Sequence, residues 1–242
     1  LPGVVLNEWK YVPAGNFLSG GSASGSVRLH SVSLPAFYIS QDEVTIGSYL
    51  EFWSSIEDME LKEEWAAYYS DSTQERVMLW DNEGGLQLPA LSLAHPIIGI
   101  TGEAAEAYCR WKSRKMGRVI RLPYDVEWEK AARGVDGREY CWGNGLEDVA
   151  SFFNVGGFSG QGIDFMEPVG SRLRDASIYT VRDMVGNVRE ITLSSSVGEG
   201  RSFGVKGSSG INSLEVSACA RVEAFEKRSK DVGFRIVMEN IN

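Results

Sequence analysis

Two histidines and three cysteines are all that this 242-residue chain holds of the side chains best suited to soft-metal and nucleophilic chemistry. His30 and His95 lie far apart and each flanks an apolar segment, so both are expected in structural or exposed roles. Cys109, Cys141 and Cys219 are odd in number and widely spaced, with no Cys-x-x-Cys pair, which argues against a disulfide framework and a zinc finger. They are expected to be free, mostly buried thiols, which suits a reducing compartment such as the cytoplasm. Positive charge is also short: 24 Lys and Arg against 33 Asp and Glu give a net charge of −9. Attraction to nucleic acid or to an anionic membrane is therefore not expected. No apolar run reaches the roughly 18 to 20 residues that span a bilayer. There is no Gly-x-Ser-x-Gly elbow, so KGSSG (Lys206–Gly210) is not a hydrolase site. GNFLSGGSASG lacks the Lys-Ser/Thr and the following helix of a phosphate loop. The start, LPGVVLNEWK, has no charged leader and begins with leucine, as expected for a piece of a longer protein.

Glycine (27) and tryptophan (7) are plentiful, which points to a loop-rich fold with aromatic anchors. Val27 to Ser40 alternates and is rich in β-branched and aromatic residues, predicting a strand. Thr45 is a plausible N-cap for a helix carrying Ile46, Tyr49, Leu50 and Trp53 on one face. The acidic, weakly periodic stretch from Glu57 to Pro89 reads as a surface insertion with a little helix near KEEWAAYY. A helix over Thr101–Met116 has acids first, bases last and Gly117 as its stop. A shorter one, Asp125–Arg133, is stopped by Gly134. The remainder reads as short strands and Gly/Asn/Ser loops, closing on the strand-like GFRIVM. With no repeat and no linker, the expectation is one α+β domain over residues 1–242, helices early and long loops late.

Several blocks in order, FYISQDEVTIGSYLEF, HPIIGITGEAAEAYCRW, RLPYDVEWEKAARG, YCWGN, DMVGNVRE and DVGFRIV, resemble the formylglycine-generating enzyme (sulfatase-modifying factor) domain. RLP-x-x-x-EWE-x-AARG is the most specific, followed by DMVGNVRE and GFR. The resemblance covers nearly the whole chain and implies a single domain with a C-type-lectin-like core, few regular elements and long loops.

The resemblance also implies a structural calcium site in DMVGNVRE. Calcium takes about six to eight oxygens, mixing carboxylates with carbonyls. Asp183 and Glu190 would offer side chains, and Gly186 and Val188 carbonyls. The bland alternative is that Asp183 caps a turn and Glu190 is solvated. Arg189, where the family usually has tryptophan, would put a cation beside this cluster. A second, looser site would use Asn154, the carbonyl of Val155, and Asp164.

The family's best-known members oxidise a substrate cysteine with oxygen, using copper held by two cysteines. Here the corresponding positions fall on or near Asn212 and Ser217, with Cys219 alone nearby. Copper(I) requires soft thiolate ligands, so copper is not expected. Lys206, Gly210, Glu223, Phe225 and Gly102 depart from the family pattern around the same reaction centre. Two function classes stay open. One is a catalytically inactive binding or regulatory module, of the kind bacteria attach to serine/threonine kinases. The other is a divergent copper oxidase that uses Cys219 to convert a sulfatase cysteine to formylglycine. In the first, a protein or small ligand would meet the late loops, Phe152–Phe165 and Ser194–Ser217, with Phe158, Phe165, Arg189 and Arg201 as candidate contacts.

Overall fold

A computed structural model describes residues 8–21, 28–70, 76–144, 163–172, 175–194, 202–212 and 219–240. The described chain opens with β1 (Trp9–Val12) and a hairpin of β2 (Gly15–Ser19) and β3 (His30–Leu34). The single strand predicted up to Ser40 is in fact two. Pro35, which cannot donate to a ladder, separates β3 from β4 (Phe37–Ser40).

Thr45 caps α1 (Ile46–Ser54), its Oγ1 accepting from the Ser48 N–H at 3.2 Å. The acidic stretch that follows is not merely a surface insertion. Its helix, α2 (Met59–Glu64), starts earlier than expected, at the Asp58 cap. The tyrosine pair then favours extended backbone and forms β5 (Tyr68–Ser70), paired with β6 (Arg76–Met78). Ala66, Ala67, Leu79 and Trp80 in this stretch are fully buried, a contribution to the core that the surrounding acids mask in the sequence.

α3 (Gly102–Met116) runs from a Thr101 cap to Gly117, whose φ of 62° is the left-handed stop that glycine supplies. After β7 (Ile120–Arg121), α4 (Asp125–Arg133) ends at Gly134. The remaining strands are β8 (Arg189–Leu193), β9 (Phe203–Lys206), β10 (Glu223–Phe225), β11 (Val232–Gly233) and β12 (Val237–Glu239). Two four-stranded sheets result. One is antiparallel, in the order β1-β4-β12-β7; the other is β10-β9-β8-β11, parallel only between β8 and β11. Among the described residues no helix is long and apolar enough to cross a membrane.

The core divides into two clusters. The larger gathers aromatic side chains of α1 and α3 with Trp80 and Phe234. The smaller joins Phe37, Ile39 and Val237 to Trp128, Cys141 and Cys219. Residues 181–191 stitch them together: Val181, Met184 and Val185 pack in the smaller cluster, Val188 and Ile191 in the larger. The two acids on that segment, Asp183 and Glu190, are therefore interior.

Candidate functional site

Glu190 is fully buried, and three of the sequence blocks meet on it. Arg235, from GFR, donates Nε to Oε2 at 2.6 Å and Nη2 to Oε1 at 2.7 Å. Trp128, from EWE, donates Nε1 to Oε2 at 2.8 Å. The flanking acids of EWE are equally committed. Glu127 holds Arg121 in a two-point fork (2.7 and 2.8 Å), while Glu129 accepts from the Gly20 N–H at 2.8 Å and lies 3.4 Å from Lys206 Nζ. Burial pushes the Lys206 amine below its usual range.

Between Asp183 and Glu190 the chain bends through Val185-Gly186-Asn187. Asp183, Gly186 and Asn187 all have positive φ, at 54°, 105° and 55°. Glycine adopts this freely, and Asp and Asn are the residues that tolerate it best, because a short polar side chain can hydrogen-bond locally. Asp183 Oδ2 accepts from the Gly170 N–H at 2.5 Å, and burial pushes its carboxyl up to about 6. Two further acids, not singled out from the sequence, sit beside it. Glu43 and Asp175 are both raised well above the usual carboxylate range, by burial first and by Asp183 next. Glu43 Oε1 and Asp175 Oδ1 are buried without a hydrogen-bond partner. Glu43 Oε2 reaches Asn187 Nδ2 at 3.4 Å.

This donor set fits a hard cation in its excess of interior oxygen and negative charge. It fits less well at Glu190, whose two oxygens are already engaged by Arg235 and Trp128. Among the described residues no three Asp, Glu, His or Cys side chains converge as a metal site. A cation at the turn would therefore draw on backbone carbonyls as well. Of the second, looser site, Asp164 is exposed, while Asn154 and Val155 lie outside the described residues.

Because successive strand residues face opposite ways, Arg189 does not point at these acids. Its Nε and Nη2 each hold Asp231 at 2.9 Å and its Nη1 holds Glu223 at 3.0 Å. Asp231 also accepts from Ser209 and Ser229 hydroxyls, at 3.1 and 2.5 Å. Burial alone would raise the Asp231 carboxyl, but these partners outweigh it and hold it below its usual range. Arg189 thus places its charge on Asp231 and Glu223 rather than beside the turn, and it lines a recess of about 300 Å³ next to β10. Phe165, by contrast, is part of the core rather than a contact surface. Phe158, Arg201 and most of the two late loops lie outside the described residues.

At the departed reaction centre, Asn212 Oδ1 accepts from the Ser209 N–H at 2.9 Å and from its hydroxyl at 2.7 Å, a local loop brace. Ser217 lies outside the described residues. Cys219 is fully buried, and burial pushes its thiol up to about 12. Cys141 shares its cluster and is raised by burial too; Cys109 is buried on α3, and all three thiols are free. Gly102 leaves room for Phe203: a Cβ there would lie 2.5 Å from the ring. His95 is braced by Ser92, whose N–H donates to Nδ1 at 3.0 Å, and His30 is exposed, as expected of both.

Over residues 5–240 the chain matches the sulfatase-modifying factor enzyme 1-like domain. It is 30% identical over 154 residues to the inactive C-alpha-formylglycine-generating enzyme 2 of Mus musculus, covering 58% of this chain and 48% of that protein. It is 29% identical over 199 residues to the serine/threonine-protein kinase Pkn1 of Chlamydia trachomatis serovar L2, covering 78% of this chain and 28% of the kinase. The chain thus spans about half of the first relative and under a third of the second. Its fold is that of PvdO from Pseudomonas aeruginosa, with a TM-score of 0.78 at 20% identity over 96% of this chain and 94% of that one. By sequence match and by fold, the chain belongs to the sulfatase-modifying factor enzyme 1-like domain family.

Proposed function

We propose that this domain does not make formylglycine and acts instead as a binding and regulatory module, carried by a larger protein such as a serine/threonine kinase. The observation that carries the proposal is Cys219, fully buried and with its thiol pushed up to about 12. Copper(I) chemistry needs thiolates within reach of a substrate peptide. A protonated thiol sealed in the core offers neither, and Cys141 beside it is buried and raised in the same way. Asn212 and Glu223 support the same view, since both now brace the fold. The likeness to a mouse protein named as inactive, and to a bacterial kinase, agrees with it.

Binding would use the late loops together with the edge strand β10. Two recesses of about 300 and about 380 Å³ adjoin there and share Ala224, Phe225 and Glu226. A structural calcium ion at the turn belongs to the same proposal. Asp183 and the carbonyls of Gly186 and Val188 would hold it, with Glu190 contributing only by sharing oxygens with Arg235. The ion would supply positive charge that fixes the turn, and no reaction.

The test is incubation with copper, oxygen, a reductant and a sulfatase-type cysteine peptide, followed by mass spectrometry. No conversion is expected. Conversion that disappears in Cys219→Ser would overturn the proposal in favour of the oxidase.

A further inference from the structure

β1 is an edge strand, and its pairing with β4 decides which of its backbone groups are free. Gln41 donates its N–H to the Glu8 carbonyl at 2.8 Å. The neighbouring Ser40 N–H turns the other way, to the Ile236 carbonyl just before β12, at 2.9 Å. In an antiparallel ladder, hydrogen-bonded and non-hydrogen-bonded pairs alternate. Lys10 opposite Ile39 and Val12 opposite Phe37 are therefore the bonded pairs of β1. Trp9 opposite Ser40 and Tyr11 opposite Tyr38 are not, so the N–H and C=O of Trp9 and Tyr11 point away from the sheet. Among the described residues, the backbone of no other segment bonds to them.

This edge is within reach of a partner. Trp9 borders a recess of about 280 Å³, and Tyr11 is 50% exposed, its ring tilted against Tyr38 at 5.3 Å. Between them Lys10 is half-buried and forms no ion pair among the described residues. A lysine on an edge guards against pairing with like edges. It does so here against a second copy of this chain. Setting Trp9 opposite a second copy's Tyr11 would use every free group, but the two Lys10 side chains would then stand directly opposite, which is destabilising. An acidic residue in that place reverses the sign.

We propose that β1 is a docking edge for an extended segment of another polypeptide, which lengthens the β1-β4-β12-β7 sheet by one strand and places an aspartate or glutamate opposite Lys10. Trp9 and Tyr11 each exchange N–H and C=O bonds with the segment, as in other complexes built by strand addition. Its residue opposite Tyr11 is β-branched or aromatic, the kind that packs best across strands against a tyrosine. Pro13, directly after the strand, has no N–H and ends the ladder on that side. β1 and β10 belong to different sheets, so failure of this docking leaves the late-loop reading of the function as it stands.

The test uses the whole chain and two blocked peptides as probes, Thr-Val-Glu-Val-Thr and the same sequence with lysine at its centre. Amide hydrogen exchange is followed by nuclear magnetic resonance at peptide concentrations up to millimolar. In the free protein the Trp9 and Tyr11 amides should exchange faster than that of Lys10. At about nine-tenths occupancy by the glutamate peptide they should exchange about tenfold more slowly than before. The glutamate peptide should bind at least about twofold more tightly than the lysine peptide, and Lys10→Glu should reverse that order. Tyr11→Pro removes one free N–H at an edge position, where proline is tolerated, and should weaken both peptides with an unchanged far-UV spectrum. Lys10→Glu, a change on the sheet surface, decides alone if the proline variant does not fold. No slowing of the two amides with either peptide would overturn the proposal, and so would a preference that Lys10→Glu leaves unchanged. Amides of Trp9 and Tyr11 that are slow in concentrated wild-type protein and quicken on dilution would also overturn it, in favour of a second copy on the edge.

Discussion

Arg235 closes on Glu190 through two hydrogen bonds, 2.6 and 2.7 Å long, and neither side chain is exposed at all. Removing one partner strands the other charge in the core. Arg235→Met is therefore expected to destabilise the fold by about 3–5 kcal/mol in urea unfolding. The double variant Arg235→Met/Glu190→Leu should recover much of that loss, since no charge is left unpaired. A double variant as damaged as the sum of the two singles would show that the pairing itself is not what matters.

The acids around Asp183 predict an unusual pH response. A carboxyl raised to about 6 when folded, against about 3.9 unfolded, binds its proton more tightly in the native state. Its contribution is fully present below about pH 4 and is lost as pH rises through about 6. Glu43 and Asp175, which burial raises well above the usual carboxylate range, add losses of the same sign. In chelator, the melting temperature should therefore fall between pH 5 and pH 8. Calcium at about 100 times its dissociation constant should restore about 2.7 kcal/mol at pH 7.5, a shift of roughly 5–10 °C. Asp183→Ala should remove the calcium shift and lessen the slope, leaving the part that burial of Glu43 and Asp175 supplies. Identical melting curves with and without calcium, after proven metal removal, would count against the site.

Gly102 and Phe203 test the remodelled reaction centre. Alanine favours a helix by about 1 kcal/mol over glycine, yet here its methyl would meet the Phe203 ring at 2.5 Å. Gly102→Ala is expected to lose about 1–3 kcal/mol through overpacking. In a Phe203→Ala background the same change should be neutral or stabilising, and a double-mutant cycle measures the difference. Equal effects in both backgrounds would mean that the ring moves aside freely.

The helices were the legible part of the fold, because their ends are written locally. Thr101 and Gly117 bound α3, and Gly134 stops α4, by side-chain and backbone chemistry within a few residues. The break at Pro35 is also local and was open to the same reasoning. What the chain did not disclose depends on distant partners. Trp80 lies in a stretch interrupted by acids, and its burial follows from distant partners such as Tyr49 and Trp53. Arg189 looks like a loose cation until Asp231, 42 residues on, is seen to hold it. Glu43 and Asn187 are 144 residues apart, and no periodicity connects them. Glu190 was legible as a special acid, but the partners that occupy it were not.

The thiols offer the sharpest check on the proposed function. Cys109, Cys141 and Cys219 are all buried, and burial raises each thiol, Cys219 to about 12. An exposed thiol, with a pKa near 8.5, would react readily with an aromatic disulfide reagent at neutral pH. In the native protein all three should be silent, reacting only as fast as the core opens. Denatured without reductant, the chain should label at all three positions. Labelling at one position only would reveal a disulfide, and Cys141 with Cys219 would be the first pair to examine, since they share a cluster. The same protonated, enclosed state means that a copper(I) chelator should keep its metal when native protein is added. Protein that strips copper from the chelator, and loses that ability in Cys219→Ser, would restore the oxidase.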